Sequence, residues 1–186
     1  MNTFSNIMAD IINFVGSAYI GIVLLRFLCQ LVRADYYNPI SKTLVKFTNP
    51  LLIPLRKIIP GFGGIDWAAL VLAFLLEVAL ILVVQLVFGK VFLDIIILPI
   101  ALIALINLAL NFYFYGMIIL VIASFVAPHT YNPVVSLLGQ LIDPILRPIR
   151  KILPPLGGLD FSPMVLMFGI YLIRQYFLPM LASLLL

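Results

Sequence analysis

Apolar residues run along this chain in four long blocks, and polar residues gather between them. A hydrocarbon core about 30 Å thick takes about 20 apolar residues of helix to cross. Residues 11–32 form the first block, interrupted by Asn13 and Arg26. Residues 67–88 form the second, interrupted by Glu77 and Gln85. The run from Val91 to Ala127 is longer than one crossing needs and contains Pro99. A third helix is therefore expected at about 100–126, with 91–98 at or beyond the outer edge of the bilayer. The fourth block is 161–186, with Pro163 in its first turn, where a missing N–H costs nothing.

The segments between the first and second blocks and between the third and fourth are two copies of one stretch. Tyr37 to Val71 aligns with Tyr131 to Val165 without a gap at a constant offset of 94, and 15 of the 35 pairs are identical. The identities include prolines, glycines and charges, which bilayer-facing composition does not reproduce by chance. The chain is an internal duplication, with a first repeat over 1–90 and a second over 91–186.

Each copy has the same local grammar. Asn38-Pro39 and Asn132-Pro133 are an N-cap followed by proline at the first helical position, and predict a short helix to about Thr48 and Ile142. Asn49-Pro50 and Asp143-Pro144 repeat the device and predict a second short helix, which carries Pro54 or Pro148. In that helix Leu51, Leu52, Leu55, Ile58 and Ile59 fall largely on one side, and Arg56 and Lys57 on the other. The expectation is an interfacial amphipathic hairpin with its apolar face in lipid and its basic residues toward the headgroups. Pro60 and Pro154 end it, Gly63-Gly64 and Gly157-Gly158 supply a turn, and Asp66 and Asp160 cap the next crossing helix.

Composition fixes the class. The chain is 65% apolar and 10% charged, against roughly 45–50% and 25% in soluble domains. The sequence predicts an all-α membrane protein. It has four transmembrane helices in two parallel repeats, each with a cytoplasmic interfacial amphipathic helical hairpin. The parallel relation follows because two crossings per repeat put both motifs on one side. Arg33, Lys42, Lys46, Arg56 and Lys57 lie in the first loop and Arg147, Arg150 and Lys151 in the second, while the connection between repeats holds only Lys90. By the positive-inside rule both loops face the cytoplasm and both termini face outward. MNTFSNIMAD lacks the basic start of a cleaved signal, so the first block is expected to be retained.

Candidate chemistry is sparse. One cysteine, Cys29, and one histidine, His129, exclude an internal disulfide, a Cys-based metal site and a two-His site within one chain. No nucleophile–base pair, phosphate loop or nucleic-acid surface is visible, and no cofactor is expected. Cys29 reads as a packing residue and His129 as a surface residue. Phe112 to Tyr115 point all round a helix and read as packing. Arg26, Glu77 and Arg174 are the costly groups inside the crossings. At 1.5 Å per residue Arg26 lies about 10 Å deep and Glu77 about 16 Å, within an arginine's reach of each other. An Arg26–Glu77 pair is expected, with Arg174, about 20 Å deep, either competing for Glu77 or reaching Asp94. These groups form a structural ion pair or, alternatively, a polar conduction path, which needs more polar lining. Asn107 and Asn111, four apart, can bond across helices. Arg56, Lys57, Arg147, Arg150 and Lys151 have two readings. They anchor the loops to anionic lipid, each worth roughly 1 kcal/mol, or they form a pseudo-twofold basic docking surface for a protein partner.

DPILRPIRKILPPLGGLDFSP, Asp143 to Pro163, resembles the signature of the YggT family of small bacterial membrane proteins, which has plastid relatives. The duplication is similar to that of its two-repeat members, so the resemblance covers nearly the whole chain. The first copy departs at Ile53, where the second has Arg147, and at Trp67-Ala68-Ala69, where the second has Phe161-Ser162-Pro163. The resemblance implies a bacterial inner-membrane location and no catalytic activity. It associates bacterial members with tolerance of osmotic stress and the neighbourhood of division proteins. It links plastid members to assembly of a photosynthetic cytochrome complex and to membrane or nucleoid organisation. The expectation is a scaffold or assembly factor working through the duplicated basic segments. A small channel or transporter in ion homeostasis is the alternative, and a lipid-acting enzyme a distant third. Expected partners are anionic membrane lipids and a membrane or cytoplasmic protein, with a homo-oligomer left open and no direct contact with nucleic acid.

Overall fold

The computed structural model describes residues 3–89, 94–126, 131–153 and 160–185. Among them the chain is helical, without a strand. The helices are α1 (Thr3–Leu31), α2 (Pro39–Arg56), α3 (Trp67–Val87), α4 (Ile97–Val126), α5 (Pro133–Ile152), α6 (Ser162–Leu172) and α7 (Leu178–Ser183). A π-helical turn, Ile173–Phe177, joins α6 to α7. Four stretches are long and apolar enough to cross a membrane: α1, α3, α4 and Ser162–Ser183. They are the four blocks of the sequence.

The boundaries differ in instructive ways. α1 begins at Thr3 and not at residue 11, because helix continues wherever each residue adds a bond, whatever the bilayer thickness. α4 begins at Ile97, with Pro99 inside its first turn, where proline removes no bond the helix would make. Asp94 starts it by accepting from the Ile96 and Ile97 backbones. The fourth crossing is not a uniform helix. Pro179 cannot donate to the carbonyl four residues earlier and its ring crowds that carbonyl, and the preceding turn is π.

The largest correction concerns the motifs. Each is one continuous helix, not two short ones: α2 runs through Pro50 and Pro54, and α5 through Pro144 and Pro148. Spacing the prolines four apart leaves the missing bonds on one helix face, so the rest of the ladder carries the helix through. Asn38 and Asn132 cap these helices, accepting from the Ile40 and Val134 backbones at 2.8 and 2.9 Å. Asn49 and Asp143 sit mid-helix and cap nothing. The expected lipid face is also revised. Leu52 is fully buried against Ala68, Ala69 and Leu72, with Leu55 and Ile59 packed beside it. Only Leu51 and Ile58 of that set are exposed. The 3.6-residue period that gathers these side chains turns most of them onto α3.

In the first repeat α1 lies closely along α3. Gly16 faces Leu80 so tightly that an added Cβ would stand 2.5 Å from Leu80 Cδ1. At the matching positions the second repeat has Leu110 and Arg174, and α4 meets α6 more sparingly. α2 rests on α1 and α3, α5 rests on α4 and α6, and α2 touches α5. Cys29 is buried in the core shared by Leu28, Leu44, Met117 and Leu141.

Candidate functional site at the paired motif helices

The repeated motif builds an arginine–aspartate clasp. Arg56, in the last turn of α2, pairs through Nη2 with Asp66, and its Nε stands 3.4 Å from the other carboxylate oxygen. Asp66 is only 3% exposed and also accepts from the Ala69 backbone, so one carboxylate caps α3 and ties it to α2. Gly63 and Gly64 make the intervening turn possible, with φ of +66° and +80°. In the second copy Arg150 Nε donates to Asp160 Oδ2 at 2.8 Å. Asp160 Oδ1 accepts from the Ser162 backbone at 2.9 Å. Burial alone would raise the Asp160 pKa, but the Ser162 N–H and the Arg150 guanidinium outweigh it and hold the carboxyl below its ordinary value.

The copies differ about two turns upstream of the clasp arginine. At position 49 the first has an amide, which accepts from Arg26 Nη1 at 2.8 Å. The same nitrogen donates to Thr48 Oγ1 and to the Val45 carbonyl. At the matching position the second has Asp143, which accepts from Arg147 Nε at 2.7 Å and Arg150 Nη1 at 2.8 Å. The Arg147 hydrogen bond, reinforced by Arg150, lowers the Asp143 pKa. Arg26 has Leu120 as its counterpart and Arg147 has Ile53. Each copy thus brings a guanidinium to the same helical position, from the neighbouring crossing in one and from the helix itself in the other.

The two motif helices are also joined. Asn38 Nδ2 donates to the Pro133 carbonyl at 2.8 Å, and the Asp35 backbone donates to Gln140 Oε1 at 2.6 Å. Lys57, Arg147 and Lys151 remain exposed on this platform. Tyr36, Tyr37, Phe62, Trp67 and Tyr131 project around it.

The intramembrane groups do not gather. The expected Arg26–Glu77 pair does not form, because α2 packs over the end of α1 and offers Arg26 nearer acceptors. Glu77 is buried, without a hydrogen bond among the described residues. Arg174 reaches neither Glu77 nor Asp94. Its Nε donates to Asn107 Oδ1 at 3.0 Å, and its guanidinium lies 5.9 Å from the Phe114 ring centre. Asn107 therefore joins two crossings, whereas Asn111 Oδ1 is buried without a partner among the described residues. No group of three His, Cys, Asp or Glu side chains positioned for a metal occurs among the described residues. His129, Pro154, Gly157 and Gly158 lie outside the described residues. Sequence reasoning missed Asn49, Thr48 and Gln140 as partners. The paired exchanges Arg26/Leu120 and Ile53/Arg147 around Asn49/Asp143 carried the signal.

Fold and site together define a multi-pass α-helical membrane protein made of two like repeats, each clasping its motif helix to its second crossing. The family model described as CCB3/YggT matches the chain twice, over residues 5–87 and 99–181, and the chain belongs to that family. It is 47% identical to an uncharacterised protein of Pseudomonas aeruginosa, over 93% of this chain and 89% of that one. It is 39% identical to the uncharacterised protein YggT of Escherichia coli K12, over 94% and 89%. A protein of Vibrio alginolyticus is 38% identical over 89% and 90%. No solved structure matches the chain.

Proposed function

We propose that this protein is a non-catalytic organiser of the bacterial inner membrane. Its paired motif helices lie on the cytoplasmic leaflet and hold anionic lipid and a protein partner against it. The observation that carries this reading is the joining of α2 to α5 through Asn38 and Gln140, with each helix clasped to a crossing. Such bracing gives a fixed platform and not two independent charged loops. Exposed basic residues outside the clasps, Lys42 and Lys46 on α2 with Lys57 and Lys151, are available to headgroups or to an acidic partner, and Arg147 is exposed while it pairs with Asp143. The exposed tyrosines and Trp67 around the platform suit the headgroup level, where amphipathic rings settle. Osmotic stress and envelope division are the settings in which such an organiser would act.

A channel reading draws less support, because Arg26, Glu77 and Arg174 go to separate surroundings and line no common path. Cross-linking in native membranes tests the choice. Charge reversal at Lys57 and Lys151 is expected to remove a specific cross-linked partner while the protein stays folded. Loss of an ion flux in reconstituted vesicles on Glu77→Gln would favour the channel instead.

A further inference from the structure

Beneath α2 the first repeat contains a cavity of about 580 Å³ whose wall includes Arg26, Arg33, Arg56 and Ser41. Its wall thus carries three arginines and one carboxylate, Asp66, which Arg56 already holds. Arg26 bonds protein only through Nη1, so its Nε and Nη2 make no hydrogen bond among the described residues. Arg33 makes no side-chain bond there either. It ends α1 in the left-handed conformation, φ +55°, with Ala34 bonding back to Cys29 and Arg33 to Gln30. Glycine is the usual residue at such a helix end.

Ser41 is the second, independent observation. It is 94% buried (6% exposed), and its hydroxyl has no hydrogen-bond partner among the described residues. A buried hydroxyl without a partner is rare in folded proteins. Ser41 lies in the wall of a cavity whose charged lining residues carry two positive charges in excess.

We propose that this cavity binds a phosphate group, carried by an anionic phospholipid headgroup or free in solution. Arg26 on α1, Arg33 just beyond it and Arg56 on α2 put guanidinium donors, with the Ser41 hydroxyl, in the wall of one cavity, a donor set that suits a tetrahedral oxyanion with several acceptors. Leu44 and Val45 form an apolar part of the same wall, which suits the carbons next to a headgroup phosphate. The second repeat has Leu120, Ala127 and Val135 where the first has Arg26, Arg33 and Ser41. The site therefore occurs once per chain. The lipid form of the inference rests on the reading that the motif helices lie at the membrane surface.

The test uses the full chain in neutral detergent, titrated with inorganic phosphate, and in nanodiscs of phosphatidylcholine with or without phosphatidylglycerol. One ligand per chain is expected in at least one of these formats. Saturation by inorganic phosphate identifies the free anion, and selective retention of phosphatidylglycerol identifies the headgroup. Arg33→Gly keeps the backbone comfortable at positive φ, and Ser41→Ala removes the unpartnered hydroxyl, so both variants retain the fold. Each is expected to weaken binding about tenfold, the loss of one good polar contact, while a Lys57→Glu, Lys151→Glu variant binds as before. Absence of saturable binding in every format overturns the proposal, as does binding that Arg33→Gly and Ser41→Ala leave intact. Binding that follows Lys57 and Lys151 alone removes the cavity site and leaves the platform reading standing. Loss of the cross-linked partner's specificity with cavity binding preserved does the reverse.

Discussion

Arg150 donates from Nε to Asp160 Oδ2 at 2.8 Å, and 94 residues earlier Arg56 makes the same pairing with Asp66. The two clasps are alike in sequence and unlike in surroundings. Asp66 is almost completely buried, whereas the side chains of Arg150 and Asp160 are 39% and 33% exposed. Removing Arg56 leaves a buried carboxylate without its cation, which costs about 1–3 kcal/mol. Removing Arg150 releases a half-solvated pair, worth less than about 1 kcal/mol, and leaves Asp143 with Arg147. Arg56→Ala should lower the thermal midpoint in detergent clearly more than Arg150→Ala. Equal shifts would show that burial does not distinguish the two clasps.

A second prediction concerns the exchange around Asn49. Arg26→Leu copies the second repeat's Leu120 and strips Asn49 Oδ1 of its donor, so it should destabilise by about 1–2 kcal/mol. Adding Asn49→Asp and Ile53→Arg transplants the second repeat's solution. Ile53 is half exposed, and an arginine there would stand four residues from position 49, as Arg147 does from Asp143. The triple variant should recover most of the loss, since residues sharing one network couple by about 0.5–3 kcal/mol. Additive damage across the three substitutions, read from denaturation curves, would mean that the two arginines do not do the same job.

How far the sequence carried the fold follows from the same residues. Long apolar blocks and a gapless repeat specify crossings and duplication, because bilayer thickness and chain copying leave marks one residue type deep. Asn38, Asn132 and Asp66 were legible because caps act within three residues of themselves, whereas Asp160 stands one residue before the cap position, which Phe161 holds, and accepts from the Ser162 backbone. Partners far apart in the chain were not legible. Nothing local to Arg26 reveals that α2 folds across the end of α1, and counting depth along separate helices pointed it at Glu77. Asn49-Pro50 reads as the start of a second helix with Pro54 inside it, because a cap residue before proline is a common helix opening. The spacing of the two prolines, which puts both gaps on one face, is what lets the helix continue. Pro179 lies inside an apolar run that gives no other sign of a break, and it follows the π turn that carries Arg174.

Acidification should reach the second repeat through Asp143. Its pKa is depressed in the folded protein by the Arg147 and Arg150 contacts, so the folded state holds the proton less tightly than the unfolded chain. The contribution to stability is then fully present above the unfolded value, about 3.9, and is lost as pH falls through the lower folded value. The carboxylate is solvated enough that the effect stays below about 1 kcal/mol. The stability gap between wild type and Asp143→Asn should hold steady from neutral pH to about 5 and shrink below about 4. A gap that widens on acidification would contradict the sign.

Asn107 and Asn111 give the last prediction, because they share a helix face and differ in partnership. Asn107 Oδ1 accepts from Arg174 Nε across the crossings, and its loss leaves the guanidinium with the Phe114 ring contact and no other polar partner among the described residues. Asn107→Leu should cost about 1–3 kcal/mol, the penalty of a donor left unmatched. Asn111 Oδ1 is buried and has no partner among the described residues, so its amide contributes desolvation without a compensating bond. Leucine occupies similar volume there and removes that burden, so Asn111→Leu should leave stability unchanged or raise it by up to about 1 kcal/mol. Reversible unfolding in mixed micelles, followed by circular dichroism, ranks the two. A larger loss at Asn111 than at Asn107 would mean that the polar link between α4 and the last crossing runs through the wrong amide, and that Arg174 is held by something other than Asn107.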